Sequence, residues 1–261
     1  MKETWMYQIN PTLKLFTMIL LFIGVLMIHD VNTMLNLTVL MSVLFFLYNG
    51  FPLKRVFLFM IPFALIFIST SSSMIMFGKG DTTWFKWGLI HITEESFYRG
   101  IHIGLRALMF AFLGLTFSLT TKPVMLFYSL MQQVKLSPKY AYSFLAGYRL
   151  IPIMIDEFQV IHSALKVRGL ERKKGIMSIP GKFKAYSIPL LSQSIRRAFR
   201  IAVAMEAKKF RSTQSRTYYY QVGFSKMDIF FVLVVLVLVL LAFSVSNYYP
   251  YFPIEDVRYD N

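Results

Sequence analysis

Residues 227 to 246 read MDIFFVLVVLVLVLLAFSVS, a stretch in which Asp228 is the sole charge. A helix of about 20 apolar residues crosses the ~30 Å hydrocarbon layer of a bilayer, and few water-soluble cores call for so long and uniform a run. Four more apolar stretches precede it, at residues 10–30, 33–55, 56–77 and 100–121. Lipid offers no partner to a free backbone N–H or C=O, so runs of this length fold as helices. The fold class is therefore an all-α membrane protein with about five transmembrane helices. A mean hydropathy of +0.54 agrees.

Helix punctuation refines these spans. Asn10 and Pro11 stand where an N-cap and a first helical residue belong. The second run is short, is closed by Asn49, Gly50 and Pro52, and is the weakest of the five. The third carries Pro62 and a Ser/Thr stretch from Ser69 to Ser73, whose hydroxyls a helix bundle can satisfy. Residues 78–99 are polar and aromatic and read as an outer loop, with Trp84 and Trp87 at the interface. Arg106 lies deep in the fourth run. An arginine there faces a partner or a cavity, and an internal structural contact is the expected role.

Charge divides the chain. Its 261 residues carry a formal net charge of +15, and between Thr121 and Met227 there are 19 Lys/Arg against 4 acids (Asp156, Glu157, Glu171, Glu206). The rest of the chain is balanced. A basic block between apolar runs marks the cytoplasmic face and meets anionic headgroups. With no nucleic-acid module beside it, the block points to the lipid bilayer and not to nucleic acid as partner. The expected organisation is a four-span membrane region (1–120), a basic cytoplasmic region (121–227), and a last transmembrane helix with an outer tail (228–261). The N-terminus is then inside and the C-terminus outside. The sequence has no cysteine, which removes disulfides and Cys-based metal sites.

The basic region has helical pattern. From Ser137 and Pro138 to Gly169 runs one amphipathic segment, with Pro152 expected to kink or divide it. Met154, Phe158, Ile161 and Leu165 form an apolar stripe, and Asp156, Gln159, Ser163 and Lys166 lie opposite. A second segment, SIPLLSQSIRRAFRIAVAMEAKKFRS, places Leu191, Ile195, Ala198, Ala202 and Met205 on one stripe and Arg196, Arg197 and Arg200 on the other side. The alanines permit close helix–helix approach. Two cytoplasmic helices packed on each other through these stripes are expected, each with a cationic end: Arg168 on the first, Lys208 to Arg211 on the second.

The run from Thr120 to Leu170, together with INPTLKL at residues 9–15, RLIP at 149–152 and AMEAKKF at 204–210, resembles the transmembrane T component of energy-coupling factor (ECF) transporters, which are bacterial ABC-type importers of vitamins and metal ions. The resemblance spans most of the chain. It implies that the two amphipathic segments are coupling helices, each ending in an Ala-Arg-Gly-like tripeptide that docks on one of two cytoplasmic ATPase subunits. The first tripeptide is Val167-Arg168-Gly169. The second aligns as Ala207-Lys208-Lys209, with Arg211 as another candidate cation. Lysine keeps the charge but lacks the planar fork that grips a carboxylate through two bonds. Further partners implied are one small membrane substrate-binding (S) subunit and the bilayer of a bacterial plasma membrane. ATP and Mg would be held by the ATPases and no cofactor by this chain, which is non-catalytic in this reading. A P-loop is indeed missing: Gly78-Lys79 and Gly181-Lys182 lack its upstream glycine and its hydroxyl.

One enzymatic alternative has sequence support. Glu94, Glu95 and Arg99 resemble the Glu-Glu-x-x-x-Arg signature of CAAX-type intramembrane metalloproteases, and Phe158 with His162 resembles their Phe-x-x-x-His. Two features oppose it. The glutamates fall in an outer loop and His162 in the inner block, with ~30 Å of hydrocarbon between. None of His29, His91, His102 and His162 is followed four residues on by Asn or Asp, so the third element is absent. Four dispersed histidines do not make a transition-metal cage, and the 16 methionines read as packing.

Overall fold

The computed structural model of the chain describes residues 4–78, 80, 82–87, 90–169, 179–210, 217–253 and 257. After a 3-10 turn, Trp5–Gln8, come α1 (Pro11–Met27), α2 (Val31–Tyr48), α3 (Leu53–Phe77), the strands β1 (Thr83–Trp87) and β2 (Ile90–Thr93), α4 (Glu94–Thr120), α5 (Pro123–Gln133), α6 (Pro138–Val167), α7 (Ile179–Ala207) and α8 (Lys226–Tyr248). It is a helical membrane protein: α2, α3, α4 and α8 are long and apolar enough to cross a membrane, and α1 is a shorter apolar helix of 17 residues. The second run, expected to be the weakest, is thus among the long helices. The first run loses length because its last residue, Asp30, serves the next helix: the Asp30 carboxylate accepts from the N–H groups of Asn32 and Thr33 and caps α2.

Two compact units are present. One takes residues up to Ser129 and from Gln221 onward, and the other is Leu130–Tyr220. The N-terminal spans and the last span therefore belong to one body.

The core of the first unit is rich in methionine. Met6 from the N-terminal turn and Met18, Leu21, Val25, Met34, Leu37, Met41, Met109, Leu113, Phe231 and Val235 from α1, α2, α4 and α8 form one buried cluster. In lipid such packing gains little from the hydrophobic effect, so close approach and interhelical hydrogen bonds must specify the bundle. Both are visible. Gly100 and Gly104 sit four apart on the face of α4 that meets α3. A Cβ on Gly100 would come within 2.5 Å of Ile75 and 2.9 Å of the Ser71 carbonyl, and one on Gly104 would strike the Ser71 hydroxyl and lie 2.7 Å from the Phe67 ring. This small-xxx-small face draws α3 onto α4, and it turns one member of the serine stretch, Ser71, inward.

Polar ties close the bundle at both rims. Where α1 begins, Lys14, only 1% exposed, donates to the carbonyl of Met6 (2.6 Å) and to the carbonyl and hydroxyl of Thr120 (3.2 and 3.1 Å). Asn10 caps α1 and its own N–H donates to Asp228 (2.7 Å), which also closes a capping box with Ser225 on α8. Where α1 ends, Arg106 donates to the Ile28 carbonyl (2.8 Å), a main-chain contact in place of an ion pair. Asn32 accepts from the N–H groups of Tyr251 and Phe252 (both 2.9 Å) and donates to the Phe252 carbonyl (3.1 Å), stitching the chain beyond α8 onto the start of α2.

Residues 78–99, expected to form an outer loop, contain an antiparallel hairpin, and their last six residues, 94–99, are the start of α4. α7 starts at Ile179 and runs through Pro189, eight residues ahead of the expected start, and α6 runs unbroken through Pro152.

Two outcomes are expected. Gly104→Leu should cost about 1–3 kcal/mol by overpacking, read as a lower thermal midpoint in detergent, whereas Gly114→Leu on the same helix, with open space around it, should leave the midpoint near wild type. At Asp30, burial pushes the carboxyl up, but hydrogen bonds from Ser246 and Thr33 and from the backbone of Thr33 and Asn32 outweigh it and hold the group below the usual carboxylate range. Its ionised form therefore stabilises the fold above an unfolded pKa of about 3.9, and that contribution is lost as pH falls through the lower folded value. Asp30→Asn keeps one acceptor but puts a donor where the Thr33 N–H and the Ser246 hydroxyl donate, so it should lower stability at neutral pH by about 1–3 kcal/mol and flatten the acid limb of a midpoint-versus-pH curve.

Candidate functional site

The second unit is built around α6 and α7, and their C-terminal ends share one backbone design. On α6 the N–H of Arg168 donates to the Ala164 carbonyl (3.1 Å) and that of Gly169 to Lys166 (3.0 Å), with Gly169 at φ +75°. On α7 the N–H of Lys208 donates to the Ala204 carbonyl (3.1 Å) and that of Lys209 to Glu206 (2.8 Å), with Lys209 at φ +56°. These are left-handed C-caps. They superpose Val167-Arg168-Gly169 on Ala207-Lys208-Lys209 residue by residue, so Lys208 occupies the place on α7 that Arg168 occupies on α6. Val167, Arg168, Ala207, Lys208 and Lys209 are all exposed, Val167 at 89%, and Gly169 is half-buried. Arg211, the other candidate cation, lies outside the described residues.

Contacts between the helices fix their direction. His162 shares a hydrogen bond with the Tyr186 hydroxyl (2.9 Å), the Ser194 hydroxyl donates to Met154 Sδ (3.1 Å), and Tyr142 packs edge-on against Phe210 (5.7 Å between ring centres). Rising numbers on one helix meet falling numbers on the other. The pair is antiparallel, and its two cationic tips lie at opposite ends. For helices of 30 and 29 residues at 1.5 Å per residue, the ends are on the order of 30–40 Å apart.

The packing faces differ in part from those expected. On α6, Leu165 is buried, Met154 and Ile161 are half-buried, and Phe158, though 45% exposed, stacks on Tyr186. On α7 the face that meets α6 carries Tyr186, Ser194 and Arg197, and Arg197 forms an ion pair with Glu157. The stripe predicted to face α6 is turned away: Ile195 is 68% exposed, Ala198 and Ala202 are exposed, and only Met205 is half-buried. The contact face is rotated by about one residue, roughly 100° around the helix. On that face the partly buried carboxylate of Glu157 on α6 is met by Arg197, a residue whose periodicity places it on the polar side of α7.

The residues of the enzymatic alternative do not assemble a centre. Glu94 and Glu95 form the first turn of α4, where negative charge complements the helix dipole. Glu95 accepts from the N–H and hydroxyl of Thr82 (3.2 and 2.7 Å). His162 belongs to the second unit and is engaged with Tyr186. Among the described residues no three His, Cys, Asp or Glu side chains converge to hold a metal ion.

Residues 2–219 match the Cobalt transport protein (CbiQ) family. The chain belongs to this family. Curated relatives are named energy-coupling factor transporter transmembrane proteins (EcfT). That of Macrococcus caseolyticus is 26% identical over 257 residues, covering 94% of this chain and 95% of the relative. That of Streptococcus equi subsp. equi is 27% identical over 255 residues, 92% of each, and that of Acidaminococcus fermentans is 30% identical over 191 residues, 70% of this chain and 71% of the relative. The chain is thus a transmembrane component of an ECF-type transporter, and the metalloprotease reading has no support.

Sequence reasoning passed over Lys14, Asn10 and Asp228 as a group. Asn10 and Asp228 are 218 positions apart, so nothing local joins them. A lysine one turn into an apolar helix was the available signal.

The two tips differ at one position in a way that can be measured. Gly169→Ala should destabilise by about 1–2 kcal/mol, because a Cβ is forced to positive φ, while Lys209→Gly should be neutral or stabilising by up to about 1 kcal/mol. Thermal unfolding, with amide exchange across the preceding turn of each helix, checks the opposite signs.

Proposed function

We propose that this chain transmits ATP-driven motion from two cytoplasmic ATPase subunits to a separate substrate-binding membrane subunit. The observation that supports this reading is the matched pair of exposed cationic tips, alike in backbone geometry and held apart at the two ends of α6 and α7. Two handles of one design, tens of ångströms apart, suit two ATPase subunits of one design better than a single partner. The Arg197–Glu157 pair and the stack of Phe158 on Tyr186 tie the helices together, so displacement of one tip is felt along the pair.

Arg168 presents a planar fork that can take a carboxylate through two hydrogen bonds, while Lys208 offers a point charge. The two docks are then unequal in strength. When the ATPases draw together on binding ATP and Mg, both tips move and the outward apolar stripe of α7, Leu191, Ile195 and Phe199, shifts with them. That stripe is the surface offered to the substrate-binding subunit. By the positive-inside rule the N-terminus and the basic region face the cytoplasm of a bacterial cell and the C-terminus faces out. The cargo is a vitamin or a metal ion, which the family's name and the relatives' ECF names both allow, and its recognition lies in the separate subunit.

Purification in mild detergent from the native host should recover two ATPase chains and one small hydrophobic protein. Arg168→Glu should lose most of the ATPase or uncouple hydrolysis from uptake, and Arg168→Lys should lose less. Normal co-purification together with normal uptake by Arg168→Glu would overturn the docking role.

A further inference from the structure

The hairpin between α3 and α4 has two unlike faces. In its antiparallel register Phe85 stands opposite Ile92 and Trp87 opposite Ile90, so these four side chains share one face, while Lys86 stands opposite His91 on the other. An irregularity between Thr83 and Phe85 removes Trp84 from this alternation, and its ring packs against Phe97 on α4 (5.6 Å). β1 is exposed along its whole length, with Phe85 at 54% and Trp87 at 75%. Its base is rigid: the Ser96 hydroxyl donates to the Ile75 carbonyl (3.1 Å), Thr93 and Ser96 close a capping box on α4, and a Cβ on Gly78 would strike the Met74 carbonyl and Ser96.

We propose that this hairpin is a membrane-interface anchor, with the Phe85 and Trp87 face seated among lipid glycerol and upper acyl groups and the Lys86 and His91 face turned to headgroups and water. Chain continuity places it there. α3 ends at Phe77, itself 61% exposed, and α4 begins at Glu94, so the hairpin joins two membrane-crossing helices directly and cannot leave the bilayer surface by more than its own length. An aromatic ring with a polar edge is most stable at that depth, and a lysine opposite it meets lipid phosphate. The anchor fixes the height of the α3–α4 pair in the bilayer. Of the two tryptophans in this segment, only Trp87 is in the lipid-facing set.

The absence of cysteine permits a direct test on the full chain in nanodiscs of phosphatidylcholine and phosphatidylglycerol. Nitroxides on Phe85→Cys, Lys86→Cys and Trp87→Cys should alternate: oxygen collides more than a nickel chelate at 85 and 87, severalfold, and the order reverses at 86. Chelate access at all three positions, or exclusion of both colliders from 85 and 87, would place the face in water or under protein and overturn the proposal. A second measurement avoids labels. With Trp5→Phe only Trp84 and Trp87 emit, and lipids brominated high on the acyl chain should quench more than lipids brominated near its end. Emission indifferent to bromolipid, or quenched best by the deep bromines, would also overturn it.

Discussion

Inside hydrocarbon, helices gain almost nothing from excluding water, so what holds this bundle together is polar satisfaction at its rims. Lys14 carries that burden at one rim. It is buried, and its ammonium is shared between the carbonyl of Met6, inside the N-terminal turn, and the last residue of α4, Thr120, so two chain segments more than a hundred residues apart are fixed to the first turn of α1. Asn10 and Asp228 add α8 to the same knot. At the other rim Asp30, Asn32 and Arg106 do equivalent work, taking up helix-end carbonyls and amides that lipid would leave unpaired. A frame tied at both rims and drawn close along α3 and α4 by Gly100 and Gly104 resists deformation.

The second unit obeys other rules. α6 and α7 keep large apolar side chains exposed along much of their length, among them Phe144, Ile151, Ile155, Ile188, Leu191 and Phe199, and their contacts include the stack of Phe158 on Tyr186, the His162–Tyr186 hydrogen bond, the Ser194 hydroxyl on the Met154 thioether and the Arg197–Glu157 ion pair. This uncovered apolar surface distinguishes the pair from the tied core of the first unit.

Much of this was legible in the sequence because its signals are local. Apolar length specified membrane helices, Asn10–Pro11 marked the start of α1, and Gly169 marked the end of α6; all depend on neighbours within one turn, whereas the end of α7 at Lys208-Lys209 was indicated only by the family resemblance. The GxxxG-spaced pair, Gly100 and Gly104, marks a face for close helix approach, but that α3 is the helix it meets is decided by the tertiary structure. The hairpin was hidden for a related reason. Its strands are short, and the sequence TWFKW is as consistent with an irregular interfacial loop as with a strand until its partner IHIT is paired to it.

By itself, then, the sequence determined the helical membrane class, the separation of a basic region from the apolar spans, and the cationic ends of two amphipathic helices. Each follows from hydrophobic length, charge or capping chemistry that a single segment carries. Only the tertiary structure decided which side of α7 meets α6, that the two tips lie at opposite ends of an antiparallel pair, and that Lys14, Asn10 and Asp228 form one knot. Periodicity shows that a helix has a face to cover but not what covers it. On α7 the covered face holds Arg197 against the partly buried Glu157 of α6, and the apolar stripe is turned outward.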